Sequence, residues 1–269
     1  MIQEYSDYLL TAASLSRQIC DAFKDTQFDE KAQAMELFVL QAIATCDSHC
    51  RVSALLLQND LAAEAVATLR PIQELFFDIH WIRQAEGEER LERICKLEAD
   101  PYARWDKETK RIAAEYSPEE AKKFRGPLDE ILKSKPHLTK SNPDGTKHFK
   151  SMNTTLPERM GQDLRWRYYH IYMYGSLFVH PTPANRNLYL ERRGIKKNIR
   201  AIEESLKQFA AYSLLSVKFI IGYAADMLGS LSPAAAKQLV DGFKKMTEIV
   251  NKANKGYFAL SPKRNKIKR

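Results

Sequence analysis

The chain reads as an all-α protein, a multi-helix bundle with one long polar inserted loop and a basic C-terminal tail. Three observations carry that reading. Glycine is sparse, 10 in 269 residues, whereas hairpin-rich sheets use it freely in their turns. Apolar residues recur at helical spacing along almost the whole chain. Ser-Pro pairs at 117–118 and 232–233 place a hydroxyl cap ahead of a proline whose missing N–H is harmless in a first turn. With 44% hydrophobic residues the chain can bury a sizeable core. The expected organisation is a single helical domain over 1–250, a mobile loop insertion at 134–162 and a basic tail at 251–269.

A first helix is predicted over 3–24. Asp29 is a candidate N-cap for a second over 30–58, which contains "AMELFVLQAIATC" and stops at "QND". A third spans 61–85 with Pro71 inside it, where the lost donor predicts a kink. Charged helices follow at 87–99 and 101–116. Ser117, Pro118 and Glu120 then make a capping-box start. Residues 134–162 are polar and interrupted by Pro136, Pro143 and Pro157, the composition of a loop, and no segment reads as a strand. The apolar run "FAAYSLLSVKFIIGYAADML", 209–228, has Lys218 at its middle and Asp226 near its end. Charge at that depth is costly in a bilayer, so a buried core helix and no membrane partner are expected. A last helix starts at Ser232-Pro233.

The net charge of +8 is unevenly spread: −9 over 1–132, +10 over 133–250 and +7 over 251–269. Such segregation points to a polyanion, RNA or another, or to an acidic partner surface. The start, "MIQEYSDYLL", has no basic n-region and no apolar core of an export signal. A reducing, cytoplasmic location with free thiols is therefore expected for Cys20, Cys46, Cys50 and Cys95. Cys46, His49 and Cys50 share a helix face in "CDSHC"; Cys20, Cys95 or His80 could complete a zinc site, but nothing in the spacing demands it. Neither metal nor cofactor is expected. Phosphate-loop, "HExxH", "GxSxG" and zinc-finger signatures are all missing.

Two stretches carry the candidate chemistry. Taken as a helix, the segment before "GSLFVHPTP" puts Arg165, Tyr169, Tyr172, Ser176 and His180 within an arc of roughly 80°. Pro181 ends that helix and leaves His180 at its C-terminus. A histidine there is stabilised by the helix dipole and can cap carbonyls; in a basic setting it can also move protons. Basic residues Arg186, Arg192, Arg193, Lys196, Lys197 and Arg200 follow and are candidates for holding nucleic acid. The second stretch, "LRPIQELFFDIHWI", is apolar nearly all round and so central. Arg70 and Glu74, four residues apart, make a buried or half-buried pair on it. That pair either fixes helix register or forms a polar site with Ser176 and His180.

"LRPIQEL" followed about a hundred residues later by "YMYGSLFVHPTP" resembles a broad bacterial family of helical proteins known as a domain of unknown function. The positions that carry the likeness are Arg70, Glu74, Tyr172, Ser176, His180 and Pro181, and it covers roughly 30–190. It implies an all-helical fold and assigns no activity. "RWRYYH" has, in addition, the Arg-x4-His spacing seen in HEPN-type ribonucleases of toxin–antitoxin and phage-defence systems. That second resemblance implies metal-independent RNA cleavage by Arg165 and His170, in a site usually shared across a homodimer. The two residues stand about 140° apart on a helix, so the basic setting supports the pairing more than the spacing does. The leading expectation is a protein acting on RNA or another phosphate-bearing ligand. The alternative is a non-enzymatic scaffold whose basic half docks a protein partner and whose Arg, Glu, Ser and His groups form a structural network.

Overall fold

The computed structural model describes residues 2–29, 33–115, 117–152, 154–161, 164 and 199–258. Among these the chain is all-α. Its helices are α1 (Ile2–Ala22), α2 (Ala34–Gln58), α3 (Ala62–Arg83), α4 (Gly87–Glu115), α5 (Pro118–Ser134), the short α6 (Leu156–Arg159), α7 (Ile199–Leu228) and α8 (Pro233–Phe258). One antiparallel hairpin joins β1 (Thr139–Ser141) to β2 (Lys147–Phe149). The chain divides into two compact units, Met1–Ile79 with Met160–Arg269, and His80–Arg159. The boundary between the two units lies inside α3.

Unit 1 is a helical bundle. α1 packs against α2, α7 and α8, and α7 packs against α8 and α2. Leu9, Ile19, Ile43, Leu69, Ile72, Leu214 and Ile221 are buried, each stabilising the fold by about 1.5–3 kcal/mol through apolar burial. Hydroxyls tie neighbouring helices to one another. Tyr5 Oη donates to the Ala253 carbonyl at 3.0 Å, Ser6 to Ala54 at 3.2 Å and Ser53 to Ala65 at 3.2 Å. α8 continues to Phe258, and Ala253 is buried. The first residues of the expected tail are therefore helical, because a buried stripe continues past residue 250.

α3 runs unbroken through Pro71. α2 begins at Ala34 after Gln33, whose side chain makes no cap bond. Asp29 instead closes the preceding turn, accepting the Gln33 N–H at 2.8 Å and donating its own N–H to Gln33 Oε1 at 2.9 Å. Over Leu206–Leu228, α7 is long and apolar enough to cross a membrane, and half of that stretch is buried inside the structure. Lys207 is buried, and Lys218 Nζ lies 5.1 Å from the centre of the Phe243 ring, a cation–π contact.

Unit 2 departs furthest from expectation. The helices predicted at 87–99 and 101–116 are one, α4, with Pro101 inside it. A mid-helix proline loses a hydrogen bond and costs about 3 kcal/mol. Ala99 is fully buried near this point, and the ion pairs Arg104–Asp100, Lys110–Asp106 and Arg111–Glu115 each span one turn of the helix. Ser117 caps α5 as its sequence predicts, accepting from Glu119 N–H at 3.2 Å and Glu120 N–H at 3.5 Å. The Glu120 carboxylate takes Lys123 at 2.7 Å rather than the return bond of a capping box.

The segment read as an insertion is built into this unit. A 3-10 turn at Pro136–Leu138 leads into the hairpin, and Gly145 supplies the positive φ of 82° that its turn requires. Leu138 and Phe149 are buried with Ala99 and Leu128 in one cluster. Lys150 pairs with Glu92 at 2.5 Å, Lys135 with Glu98 at 2.7 Å, and the Met152 N–H reaches Asp100 Oδ1 at 3.2 Å.

Candidate functional site

α3 is the helix the site is built on. Its apolar residues Leu69, Ile72, Phe76, Phe77 and Ile79 are all buried, so its polar residues must find partners or reach water. Arg70 and Glu74 form the expected pair, Arg70 Nε to Glu74 Oε1 at 2.9 Å, with 21% and 40% of their side chains exposed. The pair is half-buried, and its helical spacing of four makes it geometrically natural. Solvent reaches both groups, so the pair is not sealed in a core.

Gln73, between them in sequence, lies on the inward side and is fully buried. Its Nε2 donates to Ser213 Oγ at 3.0 Å, and its Oε1 lies 3.1 Å from Ser216 Oγ. Ser213 donates in turn to the Phe209 carbonyl at 3.0 Å, and Ser216 Oγ lies 3.0 Å from the Tyr212 carbonyl. This network locks α3 to α7. Gln73 was not among the residues singled out from sequence, although a glutamine in a helix that is apolar nearly all round is itself the signal. One turn on, Phe76 stacks against Phe219 at 5.5 Å and Tyr223 at 6.5 Å between ring centres, a second contact between α3 and α7.

The other candidate residues are less fully placed. Arg200 lies in the first turn of α7. Arg165, His170, Ser176, His180, Arg186, Arg192, Arg193, Lys196 and Lys197 lie outside the described residues, as do Tyr169 and Tyr172. In "CDSHC", His49 Nδ1 lies 2.6 Å from the Thr68 carbonyl, and Cys46 and Cys50 are buried free thiols. Burial pushes Cys50 up to about 12 and Cys46 well above its ordinary value; Asp47 adds to the first, and Cys50 and Cys20 to the second. Burial, with Asp47 and Asp21, also raises Cys20 to about 11. Thiols so disposed stay protonated at neutral pH and are poor nucleophiles.

The model of a family of unknown function, DUF5677, matches residues 36–198, more than half of the chain. The chain belongs to this family. No curated protein and no solved structure matches it. The DUF5677 match takes in nearly all of α2, all of α3 and the whole of unit 2, and it ends just before α7. Both halves of the sequence pattern, Arg70 with Glu74 and Ser176 with His180, fall inside it. The resemblance to a helical family of unknown function is thereby borne out, and DUF5677 membership brings no reaction with it.

Proposed function

We propose that this DUF5677 protein acts on RNA, or on another phosphate-bearing ligand, as a metal-independent ribonuclease of the HEPN type in phage defence or a toxin system. The Arg70–Glu74 pair carries the reading. A carboxylate 2.9 Å from Nε sets the plane of the guanidinium, and that planar fork suits two oxygens of one phosphate. The pair stands at a solvent-reachable point of a central helix, inside the family match. The net charge of +17 over 133–269 supports a polyanionic ligand.

In this reading His180 or His170 removes the proton of the ribose 2′-hydroxyl. The 2′-oxygen attacks phosphorus, and the 5′-oxygen leaves with a proton from the second acid–base group, giving a 2′,3′-cyclic phosphate. Arg70 and Arg165 stabilise the charge on the non-bridging oxygens. Glu74 orients Arg70, and Ser176 shares the His180 stripe. Arg186, Arg192, Arg193, Lys196, Lys197 and Arg200 hold the RNA backbone. A homodimer and a cytoplasmic location belong to the same proposal.

The test is RNA cleavage, with growth toxicity as its cellular counterpart. Wild type should cleave, and His180→Ala and Arg70→Ala should each lose about 10²-fold or more in rate while keeping the wild-type melting temperature. No cleavage of any RNA by wild type would overturn the enzyme reading. A second reading, a non-enzymatic scaffold, draws on the Gln73–Ser213–Ser216 network, where buried polar groups serve packing alone. There His180→Ala would destabilise the fold by about 1–3 kcal/mol through unsatisfied partners, and no activity would be lost.

A further inference from the structure

We propose that the cleft between α4 and the β1–β2 hairpin, wholly within unit 2, binds a small phosphate-bearing anion, either a phosphomonoester or free phosphate. The cleft measures about 340 Å³ and is lined by Lys107 and Lys110 of α4 and by Asn142, His148 and Ser151 of the hairpin segment, with Asp106 among them.

Charge pairing on α4 singles out one cation. Arg93 pairs with Glu89, Lys96 with Glu92, Arg104 with Asp100, Lys110 with Asp106, and Arg111 with Glu108 and Glu115; Arg90 donates to the Ala85 carbonyl. Lys107 has no ion-pair partner among the described residues, and it faces the cleft one turn from Lys110. Asp106 does not cancel it. That carboxylate, 10% exposed, is engaged by Arg125 and by Lys110 at 2.7 Å. Asp144 in the hairpin turn is likewise taken, by Thr146 N–H at 2.9 Å and Thr146 Oγ1 at 2.6 Å.

His148 supplies the second observation. Its Nδ1 is buried with no hydrogen-bond partner. An orphaned N–H costs more than an orphaned lone pair, so the proton belongs on Nε2. His148 lines the cleft, and in that tautomer Nε2 is the ring donor that the proposal gives to a ligand. Asn142 spends one amide hydrogen on Thr146 Oγ1 at 2.8 Å and keeps the other. Two ammonium groups, an imidazole N–H, an amide N–H and the Ser151 hydroxyl make a donor set for a tetrahedral oxyanion. The hairpin that carries three of these groups is fastened to α4 by Lys150–Glu92 and the buried Phe149, so the donors are pre-positioned.

This inference is independent of the RNA reading, none of whose named residues belongs to unit 2. The test is titration calorimetry of the full chain at low salt, with glycerol 3-phosphate and, separately, inorganic phosphate as probes. One or both should bind with a Kd of about 1 mM or tighter; tighter binding of glycerol 3-phosphate identifies a phosphomonoester, and tighter binding of phosphate the free anion. Lys107→Ala and His148→Phe should each weaken binding about five-fold or more, with the circular dichroism unchanged. Lys122→Glu, an exposed charge reversal on α5, should have little effect. Absence of binding of both probes at about 10 mM would overturn the proposal. So would equal losses from Lys107→Glu and Lys122→Glu, or loss on Arg70→Ala with Lys107→Ala unaffected.

Discussion

Gln73 brings an amide with four hydrogen-bonding positions into a fully buried place on α3. Its two serine partners, Ser213 and Ser216, also have carbonyls one turn back on their own helix within 3.0 Å. They keep an acceptor when the amide is removed. Two substitutions therefore separate packing from polarity. Gln73→Leu, close in volume, should cost less than about 1.5 kcal/mol. Gln73→Ala leaves a cavity and should cost about 2–4 kcal/mol in urea denaturation. Equal losses in both would show that the hydrogen bonds, rather than the volume, hold α3 against α7.

Glu92 poses a pH question at the same scale. Burial pushes its carboxyl up, but the hydrogen bond and charge of Lys150, with Lys96 adding to both, outweigh that and leave it below its ordinary 4.5. A carboxyl whose pKa falls on folding stabilises the fold fully above its unfolded value and loses that contribution as pH drops through the folded one. The hairpin should therefore loosen as pH falls below about 4.5. Amide exchange over 139–150 should quicken there, and Glu92→Gln should flatten that response. An unchanged acid profile in Glu92→Gln would remove the pair from any role in holding the hairpin.

At the level of elements, α8 sets where the chain can be cut. Ala253 is buried, and its carbonyl accepts the Tyr5 hydroxyl of α1. Truncation after residue 250 removes both and should lower the melting temperature by about 3–10 °C, corresponding to roughly 1–3 kcal/mol for a domain of this size. Truncation after Phe258 removes a polar, basic stretch and should stay within about 2 °C. Differential scanning calorimetry of the two truncations decides the point. Similar melting temperatures for both would mean that the last two turns of α8 add nothing to unit 1.

For the whole molecule, the uneven charge becomes a salt experiment. Each phosphate neutralised on binding releases counterion, so RNA affinity should fall steeply as salt rises. Reversing Arg192, Arg193, Lys196 and Lys197 together should flatten the slope of log affinity against log salt. An unchanged slope would move the RNA contacts away from this run. Dividing the chain into two units adds a separate measurement: the glycerol 3-phosphate titration reads unit 2, whereas RNA binding reads the basic run outside it.

The helices were readable from sequence because helical burial leaves a repeat of 3.6 residues, and because Ser117-Pro118 and Ser232-Pro233 announce starts through local chemistry alone. Arg70 and Glu74 were readable as a pair for the same reason, since four residues on one helix fix their separation. The β1–β2 hairpin was not, because strands of three residues are too short to display an alternating period. Nor was the continuity of α4 through Pro101, where burial of Ala99 and a row of ion pairs outweigh the local cost. Cys46 and Cys50 are buried free thiols on α2, a degree of burial that helical spacing alone does not fix. Gln73 meets Ser213 and Ser216, and Lys107 and His148 line one cleft, across 41 to 143 positions of sequence. Local pattern says nothing of such pairs, because proximity there depends on how whole helices pack, and so the inward network and the cleft emerge from tertiary structure alone.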